Sequence, residues 1–198
     1  MASWCARDKR RKSHLDPSLG LFRTHSFPVG TSNIFTGTVF PVRTEPVTFS
    51  CKIATSTATP AGVVFELGSS TTGLAVWIAA ADRKLMAAVG DSATDDGVTL
   101  TGPVCRIGQV LRICLSCIPA SGKARLWVNG HLIAAGTAVG LSLPHGWSDG
   151  EAGAVGNVRT SITTRVAVGD RIALTGAAVV EPVYGHQNQR PRQFSEIN

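Results

Sequence analysis

The sequence predicts an all-β protein, an antiparallel sandwich of two sheets, and three observations support this fold class. Hydrophobic residues make up 43% of the 198-residue chain and charged residues only 16%, a composition typical of a globular domain with a sparsely charged surface. From residue 34 onward, short segments of alternating apolar and polar residues are separated by turn signals rich in glycine, proline and asparagine. No amphipathic helical pattern interrupts these segments, which favours two stacked sheets.

Five strands are predicted in the first half of the chain, at NIFTGTVFPV (33–42), VTFSCKI (47–53), VVFEL (63–67), LAVWIAA (74–80) and LMAAV (85–89). Most of these alternate in the way expected of a strand with one buried face. The fourth differs, since its outer face consists of Ala75, Trp77 and Ala79. That face is too apolar for free solvent, so we expect another part of the protein or a partner to cover it.

The second half of the chain contains a predicted hairpin and one late strand. QVLRICLSCI (109–118) is followed by ARLWV (124–128), Asn129-Gly130 and HLIAAG (131–136). Asn and Gly both tolerate positive φ, which favours a two-residue type I′ turn between the last two strands. A late strand is predicted at RVAVGDRIAL (165–174), where the residues in phase are Val166, Val168, Ile172 and Leu174.

The two ends of the chain lack this periodicity. Residues 1–30 are predicted to form a basic extended arm, residues 31–180 the sandwich, and residues 181–198 a polar C-terminal tail. The arm is expected to bind neighbouring subunits, and its basic contact residues are Arg7, Lys9, Arg10, Arg11 and Lys12. Nucleic-acid phosphates are an alternative partner for this run and a solvated arm is another. Base recognition is not expected, because no aromatic residues are interleaved.

The N-terminus has no apolar segment of the kind that a signal peptide needs, and no apolar run reaches the roughly 18 residues of a membrane span. Synthesis in the cytoplasm without a signal peptide is therefore expected, and a membrane partner is not.

The cysteines are predicted to be reduced, because an odd number of them, five, occurs without a visible signal peptide. Cys114 and Cys117 form a C-x-x-C pair, but alternation puts them on opposite faces of one strand, where they cannot hold one metal ion. Cys51 and Cys117 are expected to fill the core as small hydrophobic residues.

Several of these segments, taken in order, resemble the concanavalin A-like jelly roll in its laminin G-like form. The resemblance covers about residues 45–175 and rests on VTFSCKI, the hairpin VVFELGSS…GLAVWIA, the pair QVLRICLSC and KARLWVNGHLIAAG, and the closing GAVGN and RIALTG. It implies a fold that serves sugar-binding lectins, glycan hydrolases, adhesion modules and viral structural proteins.

The acidic residues do not favour hydrolase activity. Glycoside hydrolysis usually needs two carboxylates about 5–10 Å apart in one cleft. Glu66 is alone on its strand, and the pair Asp149 and Glu151 lies in a glycine-rich loop. No catalytic residue is assigned, and the nucleophile-elbow, zinc-protease and phosphate-loop motifs are not found in the sequence.

Calcium is the one cofactor for which the sequence offers candidate ligands. The loop GDSATDDG offers Asp91, Asp95 and Asp96, whose carboxylate oxygens are ligands that Ca²⁺ accepts. Their spacing does not match an EF-hand, and a solvated acidic loop is the alternative, so no metal site is assigned.

Four side chains are candidate contact residues for a sugar or a protein: Trp77, Trp127, His131 and Trp147. Trp77 and Trp127 lie opposite the main apolar set of their strands, and Trp147 lies in a loop. Exposed indoles stack on sugars or anchor protein interfaces, whereas a covered indole is an ordinary core residue. The sequence leaves these alternatives open, and a carbohydrate site would use Trp127, Trp147 and His131 on one rim.

These features favour a non-enzymatic structural protein of a virus or phage particle, such as a capsid decoration or cement protein or a tail component. Its partners would be other virion subunits and copies of itself, and its location the virion. The alternative is a carbohydrate-binding, lectin-like adhesion module whose partners are glycans.

Overall fold

The computed structural model describes residues 22–27, 34–35, 46–71, 73–90, 97–118, 121–138, 153–159 and 162–188. These residues form thirteen strands: β1 Phe22–Phe27, β2 Ile34–Phe35, β3 Val47–Thr55, β4 Gly62–Leu67, β5 Leu74–Ile78, β6 Lys84–Val89, β7 Val98–Val104, β8 Val110–Ile118, β9 Lys123–Val128, β10 His131–Thr137, β11 Gly153–Val155, β12 Ala177–Val179 and β13 Val183–Asn188. A short 3-10 helix covers Val168–Asp170. Within the described ranges, no helix has the length and apolar character needed to cross a membrane.

The strands form two antiparallel sheets, which confirms the predicted fold class. The first sheet has the order β1-β13-β3-β8-β9-β10, with β12 also pairing with β3, and the second has the order β2-β11-β4-β5-β6-β7. Phe49 of β3 and Phe65 of β4 meet between the sheets with ring centroids 5.6 Å apart. Each side chain of this size that becomes fully buried contributes about 1.5–3 kcal/mol, so the shared interior is the main source of stability.

Alternation along β3 and β8 gives each strand one core face and one outer face. Phe49 and Cys51 of β3 are buried, and Ser50 and Lys52, which alternate with them, are half-buried. β8 pairs with β3 in matching phase, so Ile113 lies opposite Cys51 on the core side. The period of two therefore predicts correctly which side chains the first sheet presents outward.

The β9–β10 hairpin forms as predicted. Asn129 and Gly130 have φ values of 53° and 83°, the left-handed conformation that a type I′ turn requires at both central positions. The register of the hairpin shifts between Leu132 and Ala134, where Ile133 is the extra residue of a β-bulge.

Two of the described strands lie near the ends of the chain, outside the predicted sandwich at residues 31–180. β1 lies before the predicted start of the sandwich and β13 lies in the predicted tail, yet both belong to the first sheet. β13 is inserted between β1 and β3, and its Val183 is fully buried. The alternation is hard to see in the sequence because the second inward position, Gly185, has no side chain. Residues 1–21 and 189–198 lie outside the described residues.

The late strand predicted at 165–174 is not formed. Residues 156–159 and 162–175, here called the strap, cross the outer face of the second sheet and contain the 3-10 helix. Val166 is buried but Val168 is 82% exposed, so the two do not share a face. The strap is fixed by backbone hydrogen bonds such as Val63 N to Ile172 O at 2.9 Å. Of the strand predicted at 33–42, only Ile34–Phe35 lies within the described residues.

Candidate functional site

The outer face of the first sheet presents a row of side chains that runs across the strands. The strand registers place Tyr184 of β13 opposite Ser50 of β3, Ser50 opposite Cys114 of β8, Cys114 opposite Trp127 of β9, and Trp127 opposite Leu132 of β10. We call these five residues the central row. Trp127 is half-buried, and Tyr184 is 37% exposed. The row therefore has an accessible aromatic ring near each end.

Two parallel rows flank the central row. On one side lie Lys52 and Arg112, which are opposite each other on β3 and β8. On the other side the row is made of His186, Thr48, Ser116, Arg125 and Ala135. The outer face thus combines aromatic rings, hydroxyl groups and cations, which together can bind a polar ligand by stacking, hydrogen bonding and charge.

Cations predominate on this sheet, although Glu181, in the bend between β12 and β13, lies close enough to Cys51 of β3 to add to the effect of burial in raising the pKa of that thiol. As far as the structure describes them, the seven strands of the first sheet contain no Asp or Glu, while β3, β8 and β9 carry Lys52, Arg112, Lys123 and Arg125. An excess of cations over carboxylates on one surface produces a positive potential that attracts anionic ligands. The face is therefore suited to a ligand that carries carboxylate, sulfate or phosphate groups.

Trp77 is not part of an accessible surface. It is 2% exposed and packs under the strap in a cluster with Val63, Ala75, Ala88, Ile162 and Val166. Its indole Nε1 donates a hydrogen bond to Oδ2 of Asp170, 3.1 Å away. The strap is thus the cover that the apolar outer face of β5 requires, and Trp77 is a core residue, which removes it as a candidate for sugar stacking.

Glu66 is also buried beneath the strap. Its side chain is 1% exposed, and burial raises the pKa of its carboxyl group to about 8, although the nearby Arg159 opposes this shift. Within the described part of the chain, its Oε1 has no hydrogen-bond partner. A carboxyl group that is buried in this way cannot contact a substrate. The other acid pair considered, Asp149 and Glu151, lies outside the described residues.

The predicted rim of Trp127, His131 and Trp147 is not assembled by the part of the chain that the structure describes. His131 is exposed, but it pairs with Val128, whose side chain faces the core, while Trp127 pairs with Leu132 on the outer face. Trp127 and His131 therefore lie on different faces of the hairpin. Trp147 lies outside the described residues, as do the calcium candidates Asp91, Asp95 and Asp96 and the arm residues Arg7, Lys9, Arg10, Arg11 and Lys12.

The four described cysteines are free thiols. Cys114 lies on the outer face and Cys117 in the core, as the alternation predicts. Burial raises the pKa of Cys51 and of Cys117 to about 12, so both remain protonated at neutral pH. Among the described residues, no group of three metal-ligating side chains is found.

Tyr184 and Ser50 belong to the candidate site but are not among the residues predicted from the sequence. Ser50 was visible only as the outer residue of a strand, and Tyr184 lies in a segment predicted to be a tail. A sign was nevertheless present, because VYGH alternates an inward Val183 and Gly185 with an outward Tyr184 and His186. The lack of carboxylates in the first sheet became visible only once the strand order was known.

Comparisons with known proteins identify the fold. No protein-family model matches the sequence, and no curated protein matches it. Among solved structures, mouse laminin alpha1 chain, domains LG4-5, has a TM-score of 0.58 at 13% identity, covering 87% of this chain and 44% of that chain. Ruminococcus gnavus IT-sialidase CBM40 bound to alpha2,6 sialyllactose has a TM-score of 0.51 at 13% identity, covering 83% and 90%. A NanB structure with Optactamide has a TM-score of 0.53 at 12% identity, covering 81% and 25%. The protein therefore has the concanavalin A-like, laminin G-like β-sandwich fold.

Proposed function

We propose that this protein is a non-catalytic, lectin-like carbohydrate-binding module for acidic glycans and that its binding surface is the outer face of the first sheet. The observation that carries the proposal is the position of Trp127. Its half-buried indole lies on β9, between rows that contain Arg112 and Arg125, on a face whose described strands hold cations and no carboxylate.

The chemistry of the face matches that of an acidic sugar. The flat, rigid indole of Trp127 offers apolar area for the C–H face of a sugar ring at little cost in side-chain entropy. Ser50 and Ser116 carry hydroxyl groups that both donate and accept hydrogen bonds, as sugar hydroxyls require. Arg112 and Arg125 lie on opposite sides of the central row and can bind a carboxylate or sulfate through charge-assisted hydrogen bonds.

The comparison with the sialidase module supports the proposal at the level of fold. That module is bound to alpha2,6 sialyllactose in its structure, so a sandwich of this kind can hold an acidic glycan. At 13% identity the likeness extends to no individual residue, and the assignment of the surface rests on the geometry described above.

Binding to a glycan array tests the proposal. The array contains neutral, sialylated, uronate-containing and sulfated glycans, and the proteins are wild type, Trp127→Ala and the control Val168→Ala, which alters an exposed strap residue on the other side of the sandwich. We expect wild type and the control to bind acidic glycans and Trp127→Ala to bind them at least about tenfold more weakly. Absence of binding to every glycan, with and without a calcium chelator, would contradict the proposal.

A structural subunit of a virus particle is a second candidate function, favoured by exposed aliphatic residues at the edge of the first sheet. Leu132 and Ile133 of β10 are 53% and 44% exposed, a feature of surfaces that contact other subunits. Virion subunits, copies of itself and a location in the virion remain proposals under this function. Removal of residues 1–20, which spares β1, should prevent incorporation into particles. Normal incorporation of the truncated chain would contradict a role of the basic arm.

A further inference from the structure

The two aromatic rings of the central row are separated by a fixed distance. Trp127 and Tyr184 lie in the same row with β8 and β3 between their strands. Neighbouring strands in a sheet are about 4.8 Å apart, so three steps place the two backbone positions about 14 Å apart. This distance is longer than one sugar ring, and a single sugar cannot stack on both rings at once.

The side chains between the two rings are small. Ser50 and Cys114 occupy the intervening positions of the row, while Trp127 and Tyr184 are among the largest side chains on the face. The row therefore has a low floor with an aromatic ring at each end. Lys52 and Arg112 lie along one side of this floor and Arg125 along the other. Beyond Trp127 the row continues to Leu132 of β10, which is 53% exposed, so a ligand chain can continue past that ring.

We propose that this face binds an internal segment of a linear acidic polysaccharide, which lies across the strands with one sugar on Trp127 and another on Tyr184. The proposal rests on the proposed function and specifies the ligand as a polymer bound along its length instead of a sugar bound at its end. The cations that flank the row favour a chain with repeated carboxylate or sulfate groups, since complementary charges along the row attract it and fix its position. Tyr184 acts as the second anchor and determines the minimum length of chain that binds fully.

A single-stranded nucleic acid is the other linear anion that stacks on aromatic rings. The hydroxyl groups of Ser50, Thr48 and Ser116 favour the polysaccharide, because sugar hydroxyls line both edges of such a chain whereas a nucleic acid presents phosphates and flat bases. Oligothymidylate is therefore included as a competing ligand in the test.

Affinity as a function of chain length tests the proposal. The ligands are galacturonate oligomers, hyaluronan oligosaccharides and chondroitin sulfate oligosaccharides from the shortest available unit to ten sugars, with sialyllactose and oligothymidylate for comparison. Titration calorimetry should show, for at least one linear acidic series, an affinity that rises with length and levels off once the chain reaches from Trp127 to Tyr184. Binding should weaken as salt is added, because Arg112 is exposed and Lys52 and Arg125 are only half-buried, so dissolved ions can screen their charges.

Variants of the two rings distinguish the anchors. Tyr184→Ala should remove the increase of about tenfold in affinity that longer chains show and leave the affinity for the shortest ligand unchanged. Trp127→Ala should lower the affinity for ligands of every length. Tyr184→Phe retains the ring and should retain the length dependence. Thermal unfolding of each variant checks that Tyr184→Ala remains folded, and if it does not, Tyr184→Leu replaces it, because Leu keeps apolar bulk without an aromatic ring.

Five results would overturn the inference. Equal affinity at all lengths, or an unchanged length dependence in Tyr184→Ala, would show that Tyr184 is not an anchor. Binding of sialyllactose without binding of any linear series would reject the polymer and leave the proposed function standing. Tighter binding of oligothymidylate than of every polysaccharide would identify the ligand as nucleic acid, and absence of all glycan binding would end both proposals.

Discussion

The indole of Trp77 and the carboxylate of Asp170 join two parts of the chain that are 93 residues apart, through a hydrogen bond of 3.1 Å from Nε1 to Oδ2. The other carboxylate oxygen, Oδ1, accepts a hydrogen bond of 2.8 Å from the backbone N–H of Ala80. Asp170 therefore fixes the strap to both β5 and the turn that follows it. The strap thus covers Trp77 and its neighbours on the outer face of the second sheet, whereas the described Trp127 and Tyr184 on the outer face of the first sheet are at least partly exposed.

The first prediction concerns this attachment. Asp170→Ala leaves the nearly buried indole N–H of Trp77 without its acceptor, and we expect a loss of about 1–3 kcal/mol in the free energy of unfolding, measured by urea denaturation. Asp82→Ala is the matched control, because Asp82 forms an exposed ion pair with Lys84 and its loss should change stability much less. Equal effects of the two substitutions would contradict the role given to Asp170.

The second prediction concerns pH and Glu66. Burial raises the pKa of this carboxyl group from 4.5 to about 8, so the folded protein keeps a proton that the unfolded chain loses. Stability should therefore fall as pH rises from about 4.5 to 8 and then level off. At about 1.4 kcal/mol per pKa unit, the total cost is of order a few kcal/mol.

Glu66→Gln tests this dependence, since glutamine does not titrate. The difference in unfolding free energy between variant and wild type should shift in favour of the variant from pH 5 to pH 8, as measured by urea denaturation at several pH values. Other titrating groups contribute equally to both proteins and cancel in the comparison. A difference that stays constant across this range would show that Glu66 is already ionised in the folded protein at pH 5.

The third prediction compares two glycines with positive φ. Gly62 has φ +106°, and a Cβ atom there would lie 2.5 Å from the backbone oxygen of Ala173 in the strap. Gly130 has φ +83° and has no atom within 4 Å of the same position. Gly130→Ala should cost about 1 kcal/mol, from backbone conformation alone. Gly62→Ala should lower the free energy of unfolding clearly more, because a backbone carbonyl of the strap must move. Thermal unfolding of the two variants measures this difference. A larger loss of stability in Gly130→Ala would contradict the packing of the strap on β4.

The fourth prediction concerns thiol reactivity in a Cys5→Ser background, which removes the cysteine outside the described residues. Cys114 is half-buried in the central row, whereas Cys51, Cys105 and Cys117 are at most 2% exposed. Only Cys114 should react with an alkylating reagent in the folded protein, and more slowly than a free thiol because burial raises its pKa. Mass spectrometry of digested peptides locates the label. Modification of Cys51 or Cys117 at a similar rate would place those thiols outside the core.

Local patterns predicted the parts of the fold that depend on neighbouring residues. The alternation in β3 and β8 and the Asn129-Gly130 turn were sufficient because each is decided within a few residues. The strap was mispredicted as a strand, since its course depends on the contact of Asp170 with Trp77 and not on the spacing of Val166 and Val168. An alternating pattern of apolar and polar residues cannot reveal contacts between residues so far apart in the sequence.

In the candidate site, too, features that depend on neighbouring residues were predicted and those that depend on distant pairing were not. Alternation correctly placed Trp127 on the outer face. It also correctly placed Cys114 and Cys117 on opposite faces of β8. It could not place Tyr184 in the same row, because the pairing of β13 with β3 joins segments far apart in the chain. The predicted rim also depends on strand register, which places His131 on the other face of the hairpin from Trp127.

Backbone amide chemical shifts of the ¹⁵N-labelled protein, recorded during titration with hyaluronan and galacturonate octasaccharides, test the central claim that the outer face of the first sheet binds acidic glycans. We expect shifts concentrated at Ser50, Cys114, Trp127 and Tyr184 and little change in the strap. Shifts confined to the strap or the loops, or no shift with either ligand, would contradict that claim.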